Sequence, residues 1–263
     1  MKLKYSLLSV AAAAALLVAP ALHAKPFKWA SQGEIATWDI HSQNNALQNG
    51  IHANVYESLV YYNSKTFDVE PVLATAWKEI SPTQVRFTLR QGVKFHDGSA
   101  FTADDAVYSL QRAMAKTSNF TPYIQGISKI NKVDAQTIDV ILTAPNPVLL
   151  RQMTELRMMS KAWAEKNKSV EPKDIKGTDE NFAHRNAMGS GAYMVKEWQP
   201  DQKLVLVKNP NWWGWADAAT NVTEVIYTPI KNEATRAAAL LSGEIDFVLD
   251  PSPQDLGRMR TNA

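Results

Sequence analysis

Between Gln84 and Arg90, apolar Val85, Phe87 and Leu89 alternate with polar Arg86, Thr88 and Arg90. A period of two marks a strand with one face buried and one face wet. Ala76–Ile80 is its expected partner across Ser81-Pro82-Thr83, forming a hairpin. Gln91-Gly92 and His96-Asp97-Gly98-Ser99 then signal turns, because glycine tolerates φ > 0 and Asp bonds its own backbone. Beyond them the period changes. Ala103, Ala106, Val107, Leu110, Ala113 and Met114 recur at helical spacing. Thr102 is the expected N-cap, with Asp104 and Asp105 in the first turn, where the helix dipole favours anions.

The same patterns recur along the chain. Lys25–Ala30 reads as a first strand and Asn45–Tyr56 as a helix capped by Asn44, with Leu47, Ile51 and Val55 on one face. Ile127–Val133 with Thr137–Leu142, and Gly191–Trp198 with Lys203–Val207, read as two more hairpins. Pro145-Asn146-Pro147 breaks the chain before a helix over Val148–Leu156, and Lys161–Lys168 is a charged helical segment. Glu171–His184 is polar, contains Pro172 and Gly177, and reads as a linker or surface loop. Val222–Ile230, Glu233–Ser242 and Ile245–Leu249 read as strand, helix and buried strand, with Gly243 as the helix stop and the two strands expected to pair in parallel through a right-handed crossover. Ser252 and Pro253 are the expected cap and first residue of another helix. The predicted fold class is α/β.

Composition alters this picture mainly at the ends. Lys2 and Lys4 precede an uncharged, Ala-rich segment, Leu7–Val18, and Ala21-Leu22-His23-Ala24 offers a cleavage site. This is the layout of a cleavable secretory signal, and the apolar stretch is too short to span ~30 Å of hydrocarbon. Residues 1–24 are therefore expected to be a signal peptide and the destination the periplasm. The chain has no cysteine, so no disulfide forms and the lipid-attachment residue of a lipoprotein is missing. Losing Lys2 and Lys4 evens 28 basic against 26 acidic residues. No basic stripe points to nucleic acid.

The order of the motifs resembles a family. FTLRQGVKFHDGSAFTADDAVYS (Phe87–Ser109) is similar to the signature of the peptide-type substrate-binding proteins of ABC importers. Gly189-Ser190-Gly191-Ala192-Tyr193, followed by Asn209-Pro210-Asn211-Trp212-Trp213, resembles a second family block that reads GTGPY at its start. Arg236…Leu240-Leu241-Ser242-Gly243-Glu244-Ile245-Asp246, Glu57-Ser58-Leu59 and Pro71–Trp77 match further segments. The chain departs from the pattern at Ser190, Ala192 and Trp212, and the glycine turn of the second block is expected to survive these changes.

The resemblance implies a type II periplasmic-binding-protein-like fold, of which this chain would hold the N-terminal half. It would comprise a discontinuous lobe I (25–56 plus 162–255), an inserted α+β subdomain (57–161) and the start of a lobe III (256–263). It also implies a binding function, not an enzyme. A short peptide would be clamped between lobes I and III, bound through its extended backbone, and delivered to the permease subunits. Peptide is one of several ligands this architecture serves, alongside nickel chelates, glutathione, opines, haem and oligosaccharides. No cofactor is expected, and the full-length protein is expected to be monomeric.

The residues that the resemblance places at the ligand are Asn44, Asn45, Ala46 and Leu47 in the His41–Leu47 loop, Tyr123, and Asp250 in the segment after the last strand. Asn44 stands where some oligopeptide binders carry an acid. Catalytic and metal-site readings find little support. His96-Asp97 fits a turn beside a capped helix, His41 and His52 lie at no ligand spacing, and no GxSxG, Walker or GxGxxG motif occurs. Most of the tryptophans are expected in the core, with Trp212 and Trp213 structural.

Overall fold

A computed structural model describes residues 26–261. The signal peptide expected at residues 1–24 lies outside the described residues. The elements follow in the order β1 (Phe27–Ser31), α1 (Ala46–Val55), β2 (Val60–Tyr62), β3 (Val69–Pro71), β4 (Ala74–Ser81) and β5 (Gln84–Leu89). Next come α2 (Ala103–Ala113), α3 (Thr121–Ile124), β6 (Ile127–Asp134), β7 (Thr137–Leu142), α4 (Leu149–Met153), α5 (Lys161–Lys166) and α6 (Phe182–Arg185). The chain closes with β8 (Tyr193–Gln199), β9 (Lys203–Lys208), β10 (Glu224–Pro229), α7 (Glu233–Leu241), β11 (Phe247–Val248) and α8 (Leu256–Thr261).

Two main sheets result. A five-stranded mixed sheet has the order β11-β1-β10-β9-β8, with β1 parallel to both β10 and β11. A four-stranded antiparallel sheet has the order β4-β5-β7-β6. The alternation at Val85–Leu89 does what it predicts. Phe87 is fully buried opposite Trp77 and Ile138, while Arg86 faces out and pairs with Asp139. The crossover through α7 differs from expectation. β10 and β11 run parallel but do not pair, because β1 lies between them.

The cores follow the sheets. One apolar cluster gathers Phe87, Leu89, Ile138 and Val140 with Ala103, Ala106, Leu110 and Ala113 of α2. A second gathers Trp38, Ile51, Val55, Leu204, Leu206 and Tyr227 on one face of the five-stranded sheet, and a third puts α7 against Ala30 and Val248 on the other. Helix α2 belongs to both layers. Its apolar stripe sits on the four-stranded sheet, and its polar stripe, Asp105, Tyr108, Ser109 and Arg112, is buried too. Asp105 closes a capping box with Thr102 and accepts from the Lys161 amide at 2.9 Å. Tyr108 donates to the Val170 carbonyl, and Ser109 exchanges bonds with the Met159 backbone.

Several expected boundaries shift. Asn45, not Asn44, caps α1, its side chain accepting from the Gln48 amide. The helix after Pro147 is only Leu149–Met153, and α8 begins at Leu256, residues 253–255 forming a turn. The polar 171–184 segment is partly buried, because its Lys173 amide and Asn181 side chain bond Asp39. Gly189 and Gly191 also serve a purpose other than a turn. A Cβ on Gly191 would lie 2.6 Å from the Asn54 carbonyl oxygen, and one on Gly189 would run into the Val55 carbonyl. The glycines let this segment lie directly on the end of α1, where the Gly191 amide donates to the Val55 carbonyl at 2.9 Å.

Candidate functional site

In open α/β sheets ligands bind outside the carboxyl ends of the parallel strands. Here those ends belong to β1, β10 and β11, and the long connection from Gln32 to Asn45 leaves from the first of them. Its first turn is fixed to the sheet. Tyr227 donates to the Gly33 carbonyl, and Ser31 donates to the Asp250 carboxylate at 2.8 Å. A Cβ on Gly33 would lie 2.5 Å from Leu47, so the glycine allows the connection and the start of α1 to touch. Leu47 and Asp250 thus flank the same turn.

The middle of the connection is anchored by a buried ion pair. Arg112 grips Asp39 in a two-pronged arrangement, at 2.6 and 2.7 Å, and both side chains are fully buried. Asp39 also accepts from the His41 amide, the Lys173 amide and the Asn181 side chain. Arg112 also donates to the carbonyls of Ser169, Val170 and Glu171, and its Nη1 lies 3.4 Å from His41 Nδ1. Burial alone would push the Asp39 carboxyl up, but the Arg112 charge and these bonds outweigh it and hold it well below the usual carboxylate range. His41, 0 % exposed, has its imidazole held neutral, lowered to about 3 by burial and by Arg112.

The tip, residues 42–45, is held by the connection between α2 and α3. The Asn119 amide donates to the His41 carbonyl at 2.9 Å, and its side chain donates to the Ser42 carbonyl. Asn44 donates back to the Asn119 carbonyl and accepts from Asn49 at 2.8 Å. Phe120 packs its ring against both His41 and Tyr123. The predicted loop and Tyr123 are therefore neighbours through Asn119 and Phe120. Asn44 and Asn45 are half-buried and largely committed to loop and cap bonds, Ala46 is exposed, and Leu47 and Tyr123 are half-buried. Ala46 and Leu47 also edge a groove of about 530 Å³ between α1 and the sheet, lined further by Phe27, Trp29, Tyr227 and Phe247.

Two clusters lie apart from this end. His96 meets the Gly191 carbonyl at 3.2 Å and Asp97 caps its own turn through Ser99. Glu57, buried after α1, accepts from both Trp212 and Trp213 indoles at 2.9 Å and from Ser190 at 2.7 Å. Burial raises its carboxyl, and those three donors offset only part of the effect.

Residues 68–263 match the family model described as bacterial extracellular solute-binding proteins, family 5, middle. The chain belongs to this family. Among its relatives, the heme-binding protein A of Haemophilus influenzae is 28% identical over 81% of this chain and 41% of its own length. The periplasmic oligopeptide-binding protein OppA of Escherichia coli is 26% identical over 85% of this chain and 42% of its own. The periplasmic binding protein DppA of Helicobacter pylori, solved in complex with the peptide STSA, superposes with a TM-score of 0.77 at 24% identity, over 90% of this chain and 49% of that one. The chain thus spans about two fifths to one half of the length of these proteins. Its architecture is that of the type II periplasmic binding proteins of the peptide-binding class.

The resemblance did not point to Arg112 or Asn119, and it included Glu57 only within a matching segment, with no role attached. The polar stripe of α2, at i, i+3, i+4 and i+7, was the available signal for Arg112. Nothing in the sequence singles out Asn119.

Proposed function

We propose that this chain forms part of a periplasmic receptor that captures short peptides and hands them to an ABC permease. The observation that carries this reading is the braced loop at the carboxyl ends of β1, β10 and β11. Its residues 44–47, together with Tyr123 and Asp250, would form one wall of the ligand cleft. The five-stranded layer would act as lobe I and the 57–161 segment as an inserted subdomain. A facing lobe would close on the ligand by a hinge, burying it without chemical change. Export through the N-terminal segment, a soluble periplasmic location and a monomeric state belong to the same proposal.

Asn44 would offer hydrogen bonds and no charge, so side-chain tolerance at this wall is expected to exceed charge selectivity. Isothermal titration of the native protein with di-, tri- and tetra-alanine tests the reading, with a haem titration beside it because one relative bears a haem-binding name. Saturable peptide binding with little heat from haem supports the proposal. Binding of haem alone contradicts the peptide assignment.

A further inference from the structure

We infer that Asn119 is a positioning residue for ligand binding, and that one task of the four-stranded layer is to set the geometry of the ligand loop. The inference rests on the reading of residues 44–47 as ligand contacts. Asn119 belongs to the α2–α3 connection, on the far side of the layer boundary from β1. It nevertheless makes three bonds across that boundary to a stretch of four residues. Its amide holds the His41 carbonyl, its side chain holds the Ser42 carbonyl, and its carbonyl holds the Asn44 side chain.

The grip stands on a rigid base. Arg112, in the last turn of α2, fixes Asp39 at the foot of the same loop. Ser118 bonds the Phe120 amide, and the Phe120 ring fills the space between His41 and Tyr123. The side chain of Asn119 is the replaceable part of this arrangement, since its amide and carbonyl bonds survive substitution. A loop held in the binding-competent shape avoids the loss of apparent affinity that a fractionally populated shape imposes.

The test uses the native protein and trialanine, with affinity by titration and local opening by hydrogen–deuterium exchange. Asn119→Asp keeps the shape but turns a carboxylate oxygen towards the Ser42 carbonyl, whereas Asn119→Ala only deletes the bond. The order of effect is therefore Asp worse than Ala, at about tenfold and about threefold weaker binding respectively. A purely space-filling role gives the reverse order. Exchange should rise at amides 41–49 and stay unchanged in β5 and β7. Gln84→Ala, which removes a bond to Asp139 inside the four-stranded sheet, is the control and should leave affinity unchanged. Unchanged affinity in both Asn119 variants, alongside weakened binding in Leu47→Ala, overturns the inference alone. Unchanged affinity in Leu47→Ala and Asn44→Ala as well, or a wild-type protein that does not bind trialanine, overturns the reading on which it rests.

Discussion

Replacing Asp39 by Asn removes one charge from a pair that has no access to water. The structure sets the size of the effect. Both side chains are 0 % exposed, and Asp39 serves Arg112 twice, two backbone amides and one Asn side chain. The Asn amide would face donors with a donor, and the guanidinium would remain buried without a counter-charge. Breaking one side of a buried pair costs about 3–5 kcal/mol. For a domain of this size each kcal/mol lowers Tm by ~2–4 °C, so the expected fall is roughly 6–20 °C. Thermal melts followed by circular dichroism at neutral pH measure it. The comparison is Arg86→Ala, which breaks a pair whose Arg is 40% exposed and screened by water, and is expected to lower Tm far less. Removing both buried charges with Asp39→Asn/Arg112→Met should restore little, because the carbonyls of residues 169–171 then lose their donor as well. If Asp39→Asn shifts Tm no more than Arg86→Ala does, the buried pair is not what joins the two layers.

Other substitutions probe separate parts of the account. Gly189→Ala drives a Cβ onto the Val55 carbonyl, a backbone group that cannot swing away, so soluble expression or Tm should collapse, whereas Gly50→Ala, with open space around it, should be neutral or stabilising. Glu57 has its carboxyl raised by burial, so the fold binds its proton more readily than the unfolded chain does, and ionisation costs stability as pH rises through the interval above the ordinary 4.5. Glu57→Gln should therefore gain stability relative to wild type as pH rises, and a difference independent of pH would refute this. His41, His52 and His96 are held neutral by burial, lowered to about 3, about 4 and about 4, so their contribution is full above 6.5 and lost as pH falls below it. Calorimetry in buffers of different ionisation enthalpy should record a net uptake of roughly two to three protons on unfolding near pH 5.5, and no uptake contradicts the assignment. The apolar groove between α1 and β11, with Phe247 and Leu249 each over two fifths exposed, should make residues 26–261 alone bind the dye ANS, and a dye-silent protein would refute it.

The elements with a single buried face were the legible ones. Hairpins β4–β5, β6–β7 and β8–β9 announce themselves by alternation, and the apolar stripe of α2 by its spacing. What escaped has two buried sides or two uses. The polar stripe of α2 looks like a solvated face, and becomes a buried seam only because Asp39, Met159, Lys161 and Val170 supply partners from distant sequence. The 171–184 segment looks like a surface loop for the same reason, since Asp39 draws Lys173 and Asn181 inward. Gly189 and Gly191 look like turn residues, yet they are required by the nearness of α1, a tertiary fact. At the site, the resemblance supplied Asn44–Leu47, Tyr123 and Asp250. Of the residues that brace them, Asn119 acts through backbone carbonyls, which leave no trace in a sequence, and Arg112 acts through the carboxylate of Asp39, a partner far away along the chain.

Native mass spectrometry of the protein purified from periplasmic extract, without refolding, tests the central claim most directly. The expected result is an intact mass beginning after residue 24, together with an added mass distribution that resolves into short peptides on collisional release. A protein that carries a single non-peptide compound, or that hydrolyses added peptides during the measurement, would contradict it.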